Sequence, residues 1–230
     1  MARNPVDANP RQVFQGLQTR QSTSRQAAIK SHMPLPHIRP HGFFYAQCPG
    51  RALRVAMYNL PRELSAFSFV DYGSGEGGIL LEALLYPFAD IVGVEFAKEL
   101  HQTAEHNIAS AKANSEPTRS IRTLHLDAAE FSVPRTECVH FFYHPFGETV
   151  FREVLRNIEE AHIASGRRKA FILYVHVSDQ LEVGQADNLA LLRNAEFLRE
   201  RRVHCPSWWD RFLLGSYELR LFESLDPPAS

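Results

Sequence analysis

Residues 70–84 read VDYGSGEGGILLEAL: an apolar run ending at Asp71, four glycines within six positions (Gly73, Gly75, Gly77 and Gly78), and then a helical pattern. Glycines here let the backbone leave the carboxyl end of a strand with no side chain in the way, so the main chain can approach a nucleoside closely. Two spacings are satisfied at once. Gly73, Gly75 and Gly78 fit G-x-G-x-x-G, the dinucleotide fingerprint, whereas Gly73, Gly75 and Gly77 fit G-x-G-x-G. The glycines alone do not choose the ligand.

Outward from this loop the chain alternates. Apolar runs fall at 67–71, 90–95, 121–126, 138–143 and 170–177, and helical patterns at 77–86, 97–113 and 147–163. Leu100, Ala104 and Ile108 mark the apolar stripe of one helix, and Val150, Val154 and Ile158 that of another. An earlier helix, with Leu53, Ala56, Met57 and Leu60 at helical spacing, stops at Pro61. Strands taking turns with helices predict an α/β fold, a doubly wound and mostly parallel sheet covered on both faces. The last third breaks the alternation. A helix over 185–199 and two short strands, around RRVHCP (201–206) and SYELRLF (216–222), predict a C-terminal antiparallel hairpin. Trp208 and Trp209, between those strands, either cover the sheet edge or flank a substrate.

A chain of 230 residues accommodates one sizeable α/β domain with an appendage. The net charge of −1 argues against a generally basic nucleic-acid surface, so any such contact has to be local. Cys48, Cys138 and Cys205 are far apart and form no C-x-x-C pair, which excludes a disulfide framework or zinc ribbon and fits a reducing cytoplasm. Cys138 and Cys205 sit in apolar strand patterns and read as inert core thiols. No apolar stretch approaches the roughly 18 residues of a membrane span, and no secretory signal is evident.

Residues 1–42 form a separate region, a flexible basic arm, ahead of a globular domain over 43–230. The arm holds six Lys or Arg against one acid, Asp7, a formal charge of +5. It buries too little apolar surface to offset the entropy of ordering it, and it suits an anionic partner. His32, His37 and His41 lie between prolines with no acid or Cys to complete a ligand set, so no metal is expected.

The acids around the loop bear on the ligand. A pyrophosphate at the helix N-terminus would meet Asp71 at the strand end and Glu76 within the loop. S-adenosyl-L-methionine (SAM) has no phosphate and carries a sulfonium and an ammonium, beside which two acids are tolerable. Glu95 ends the next strand, in IVGVEF, where a carboxylate accepts both ribose hydroxyls of either ligand. Asp127 follows the third strand, in IRTLHLDAAEF, where an adenine amino group would lie.

At this point residues 43–224 resemble the class I, seven-stranded SAM-dependent methyltransferases. FVDYGSGEGG is similar to their first motif, with Asp71 as its acid and Gly73, Gly75 and Gly77 as its glycines. The resemblance implies that Glu95 binds the ribose and that Asp127 and Ala128 lie beside the adenine. It also implies the reversed final hairpin. The fourth strand continues as CVHFFYHPFGETVFREVL, and its tip faces the transferable methyl in this family. His144, Pro145, Phe146 and Gly147 look closest to an Asn-Pro-Phe-Gly version of that motif, with His144 replacing the Asn. More loosely, DYGSG, PFG and the late Trp are similar to non-SET lysine methyltransferases.

The implied activity is methyl transfer from SAM to an unidentified acceptor, a small molecule or protein. His144 is the candidate base, since imidazole titrates near neutrality, and Tyr143 and Phe146 are candidates to line the sulfonium. Pro145 and Phe146 fall on the substrate side. The alternative is a catalytically silent SAM-binding regulatory or interaction module, which the loss of the Asn favours. A nicotinamide oxidoreductase would need a hydride acceptor site for which no motif is present. Substrate selection is expected in 43–50, 178–184 and 205–215.

Overall fold

The computed structural model describes residues 48–114, 120–143, 146–166, 168–177, 185–214 and 217–225. The basic arm, 1–42, lies outside the described residues, as do His144, Pro145 and the segment 178–184.

Among the described residues, seven strands and six helices follow the expected alternation: α1 (Gly50–Tyr58), β1 (Phe67–Tyr72), α2 (Gly78–Ala83), β2 (Asp90–Glu95), α3 (Lys98–Asn114), β3 (Ser120–His125), β4 (Glu137–Tyr143), α4 (Glu148–Ala164), β5 (Ala170–Val177), α5 (Gln185–Asn194), β6 (Leu198–Arg201), α6 (Trp208–Leu214) and β7 (Tyr217–Ser224). The strands form one sheet in the order β3-β2-β1-β4-β5-β7-β6. β1 to β5 run parallel, and β7 lies antiparallel between β5 and β6. The order reverses at β1, which pairs with β2 on one side and β4 on the other, so a crevice opens at the carboxyl ends of these strands.

Alternate residues of the central strands feed two cores. Phe69, Ile91, Val139, Phe141, Leu173 and Leu221 pack beneath α1, α2 and α3, with Leu53, Leu81 and Ile108 from the helices. Val70, Val92, Phe142, Ile172, Tyr174 and Phe222 face the other way, against Phe151, Val154 and Ile158 of α4 and Leu192 of α5. Burial on both faces explains why these strands read as unbroken apolar runs. Cys138 is buried as expected. On its face the His140 imidazole is buried with its Nδ1 3.1 Å from the Tyr72 hydroxyl. Burial first, then His162, holds its pKa down to about 3.

The C-terminal third departs from the sequence expectation in detail. The helix expected over 185–199 ends at Asn194, and Leu198–Arg201 already forms β6, so RRVHCP is mostly loop. Only Leu198 of LRER is buried, as befits an edge strand protected by charge, and such a strand leaves no alternating apolar signal. Trp208 and Trp209 open a helix instead of covering the sheet edge. The Ser207 hydroxyl accepts the Asp210 N–H at 3.1 Å and donates to the Asp210 carboxylate at 2.6 Å. SWWD is thus a helix-starting cap. Cys205 sits half-buried in the loop before it, not in a strand.

Candidate functional site

The glycine loop leaves β1 at Tyr72 and reaches α2 at Gly78, with Gly73, Gly75 and Gly77 at φ of 79°, 53° and 81°. These left-handed conformations explain why the loop is written in glycine. A Cβ on Gly73 would meet nothing within 4 Å, so the space before it is open. The loop is tied to β2: the Gly73 and Ser74 N–H groups both donate to the Val94 carbonyl, at 2.8 and 3.1 Å. From α3, the Asn107 amide donates to the Glu76 carbonyl at 2.9 Å. Gly93, in the middle of β2, makes room for this descent. A Cβ there would lie 2.5 Å from Leu80 Cδ1 and 2.6 Å from Ser74 Oγ.

Glu95 stands at the tip of β2 and closes the loop. Its Oε2 accepts the Gly75 N–H at 2.8 Å and its Oε1 accepts the Ala97 N–H at 2.7 Å. Burial raises its pKa, while the N–H groups of Ala97, Gly75 and Phe96, and His101, pull the other way. A carboxylate offers about four acceptor positions, so about one or two remain. Asp71 is buried at the tip of β1. Burial first, and the Glu95 charge second, push its pKa up to about 8. The Cys48 thiol is raised too, by burial and then by Asp71, which places it on the same side of the crevice.

Asp127 follows β3 and begins the short 3₁₀ turn Ala128–Glu130, its carboxylate accepting the Ala129 N–H at 3.0 Å. Asn157 of α4 fixes this turn by donating to the Ala129 carbonyl at 2.8 Å. Since Glu95 pairs with His125 in the β2–β3 register, Asp127 and Ala128 stand beside the β2 tip. The sequence-selected residues Asp71, Gly73, Gly75, Gly77, Glu95, Asp127 and Ala128 thus come to three neighbouring strand tips at one edge.

At the tip of β4 the arrangement is tighter than the sequence suggests. The Tyr143 hydroxyl shares a hydrogen bond with Tyr217 of β7, and their rings lie 5.7 Å apart. Burial, then this bond, raise the Tyr143 pKa far above the ordinary phenol range. Phe146 packs in the core of the opposite face, 6.4 Å from Phe142 and 6.3 Å from Phe151, and its carbonyl accepts the Asn188 amide at 2.9 Å. Sequence reasoning missed Cys48, Gly93, Asn107 and Tyr217. Gly93 had a signal, a lone glycine within an apolar strand, which marks close backbone approach. The others depend on tertiary contacts that no local pattern reports.

Among the described residues no group of His, Cys, Asp and Glu could hold a metal ion, and no helix is long and apolar enough to cross a membrane. No family model and no curated protein matches the sequence. Solved structures do match in fold. A candidate methyltransferase of Escherichia coli, yhhF, superposes with a TM-score of 0.52 at 17% identity, over 79% of this chain and 89% of that one. A SAM-dependent methyltransferase from Leishmania major gives 0.51 at 13% identity, over 77% and 71%. Residues 961–1257 of StiE, an O-methyltransferase domain, give 0.51 at 11% identity, over 78% and 74%. With its seven strands in the order found, its reversed last strand and its glycine loop at the switch point, the chain has the fold of the class I methyltransferases.

Proposed function

We propose that the protein binds SAM at the β1–β2–β3 edge and transfers its methyl group to an acceptor entering over the tip of β4. The observation that carries this reading is the Glu95 carboxylate, fixed at the β2 tip by the Gly75 and Ala97 N–H groups with acceptor capacity left over. That capacity suits ribose hydroxyls. The open space before Gly73 admits a ligand against bare backbone. Asp127 and Ala128 would flank the adenine.

SAM supplies an electrophilic methyl on a sulfonium, and displacement at that carbon needs position more than covalent help. The chain's part is therefore to hold and to exclude. Glu95 and the glycine loop orient the nucleoside, and the paired Tyr143 and Tyr217 wall the site on the β7 side. His144 follows the β4 tip and is the residue proposed to take a proton from a protic acceptor. Tyr143 keeps its own proton at neutral pH, so it acts by contact and not as a base.

Calorimetric titration with SAM tests the binding half: no heat and no thermal stabilisation would end the proposal. Formation of S-adenosylhomocysteine with candidate acceptors tests transfer. Binding without turnover across acceptor classes would favour the silent module, which the replacement of the family's Asn by His144 also favours.

A further inference from the structure

Beyond the cofactor edge, the rim formed by α6 carries side chains that the methyl-transfer reading does not use. Trp208 and Trp209 are stacked, ring centroids 3.8 Å apart with 26° between planes, yet 63% and 52% exposed. Phe212 stands edge-on to Trp209 at 6.2 Å and is 69% exposed. Beside them opens a recess of about 570 Å³. Four arginines against two glutamates line it, a formal excess of two positive charges. Arg201 is paired with Glu223, and Arg220 with Glu200 and Glu218. Arg202 and Arg211 are exposed and carry no ion pair among the described residues.

The position of this rim is set by topology. β7 starts at Tyr217 opposite Val177, the last residue of β5, so α6 joins the sheet at its carboxyl edge. Tyr217 lines the recess and also holds Tyr143 at the tip of β4. α1 is fastened to α6 by the Arg51–Asp210 ion pair at 3.0 Å.

We propose that the α6 rim binds single-stranded nucleic acid. An unpaired base stacks on the exposed face of the tryptophan pair, and backbone phosphates lie on Arg202 and Arg211. Stacked, solvent-exposed aromatics beside unpaired arginines are what a sequence-tolerant single strand requires, because every base has a flat face and every nucleotide a charge. A net charge of −1 over the whole chain does not oppose this, since the excess is local. The chain's own arm is a poor occupant, because its formal charge of +5 would be set against the arginines. A bilayer is also a poor fit, since seven residues of α6 are too few to lay an amphipathic face in an interface. That the bound strand is the methyl acceptor rests on the function proposed above; that it binds does not.

The test uses the full chain without SAM and a fluorescein-labelled 20-nucleotide mixed-sequence RNA, its DNA counterpart and the matching duplex, followed by anisotropy. Binding to single strands is expected to exceed binding to duplex. Trp208→Ala with Trp209→Ala should weaken it by about five- to a hundredfold, the range for loss of base stacking. Arg211→Gln should reduce the salt slope of log affinity by about 0.7. Absence of single-strand binding would overturn the proposal, as would binding that survives loss of both tryptophans. Equal tryptophan-dependent binding to phosphatidylserine vesicles, or tryptophan emission already blue-shifted and shielded from iodide in the free protein, would overturn it too. The first would assign the face to membranes, the second to the chain's own arm or a second copy. SAM titration of the double variant keeps the two readings apart: lost strand binding with unchanged SAM affinity confirms the rim alone, and lost SAM affinity in both proteins would refute the cofactor site alone.

Discussion

Replacing Glu95 by Gln tests the centre of the proposed site, and the structure shows that two effects must be separated. The carboxylate accepts one backbone N–H on each oxygen, from Gly75 at 2.8 Å and from Ala97 at 2.7 Å. A glutamine has one acceptor oxygen and one donor group, so one of these N–H groups would face an NH₂. A buried donor left unsatisfied costs about 1 to 3 kcal/mol, which in a domain of this size lowers the melting temperature by about 2 to 12 °C. The ribose hydroxyls would also lose charged acceptors. With one or two acceptor positions free on the native carboxylate, the loss should be about 1.4 to 2.8 kcal/mol, roughly ten- to a hundredfold in SAM affinity. Calorimetry at a temperature well below the variant's melting point reads the second effect, and scanning fluorimetry in the absence of ligand reads the first. Glu95→Asp is the companion: it keeps the charge, withdraws it by one methylene, and should lose affinity as well. If Glu95→Gln melts lower but binds SAM with wild-type affinity, Glu95 is a loop anchor and the nucleoside lies elsewhere.

Three further outcomes follow from the packing and charges. Gly93→Ala forces a methyl to within 2.5 Å of Leu80 and 2.6 Å of Ser74, so it should cost about 1 to 3 kcal/mol in chemical denaturation; an unchanged midpoint would mean the loop does not sit against β2 as described. Asp71 has a native pKa of about 8 against 3.8 when exposed, so the native state keeps a proton that the unfolded chain releases, and stability is lost as pH rises from about 4 to about 8. Asp71→Asn should remove this loss, gaining on the wild type by at most about 1.4 kcal/mol per pH unit across that window, and a difference equal at pH 5 and pH 8 would contradict the assignment. His144→Asn, which retains a hydrogen-bonding side chain but cannot titrate, should lower methyl transfer by about 10² to 10⁴ and flatten its rise with pH near 6.5 if His144 is the base, with SAM affinity within a few-fold; full activity and an unaltered pH profile would leave it a positioning group.

The parallel half of the sheet was legible because each strand is buried on both faces and each helix on one, so burial writes itself into the residue pattern. The glycine loop and Glu95 were legible for a different reason: left-handed backbone and a strand-tip acid need particular residue types at fixed offsets. β6 was misplaced by a few residues because LRER has only one buried side chain, and a charged edge looks like a loop. The tryptophan helix was missed because two aromatics between strands suggest a covered edge, while the shorter signal, Ser207 with Asp210 three residues on, is what sets the backbone. Tyr143 and Tyr217 are 74 positions apart, and nothing local to either announces their hydrogen bond.

The placement of β7 also governs how the chain assembles. It follows the other six described strands in the chain, yet it occupies an interior position, with β5 on one side and β6 on the other. Seven residue pairs join it to β5 and four to β6, and β6 has no other neighbour among the described residues. During synthesis, β1 to β5 can pair as they emerge, but β5 then presents an open apolar edge, and β6 waits unpaired until residue 224 has cleared the ribosome. That interval is when the nascent sheet is most exposed to pairing with another chain, and closing it requires contacts between the oldest and newest parts of the sheet. Arg199 and Arg201 on β6, with Glu223 on β7, put charge along the edge that waits longest. Translation speed across β6 and β7 should therefore bear on the yield of soluble protein.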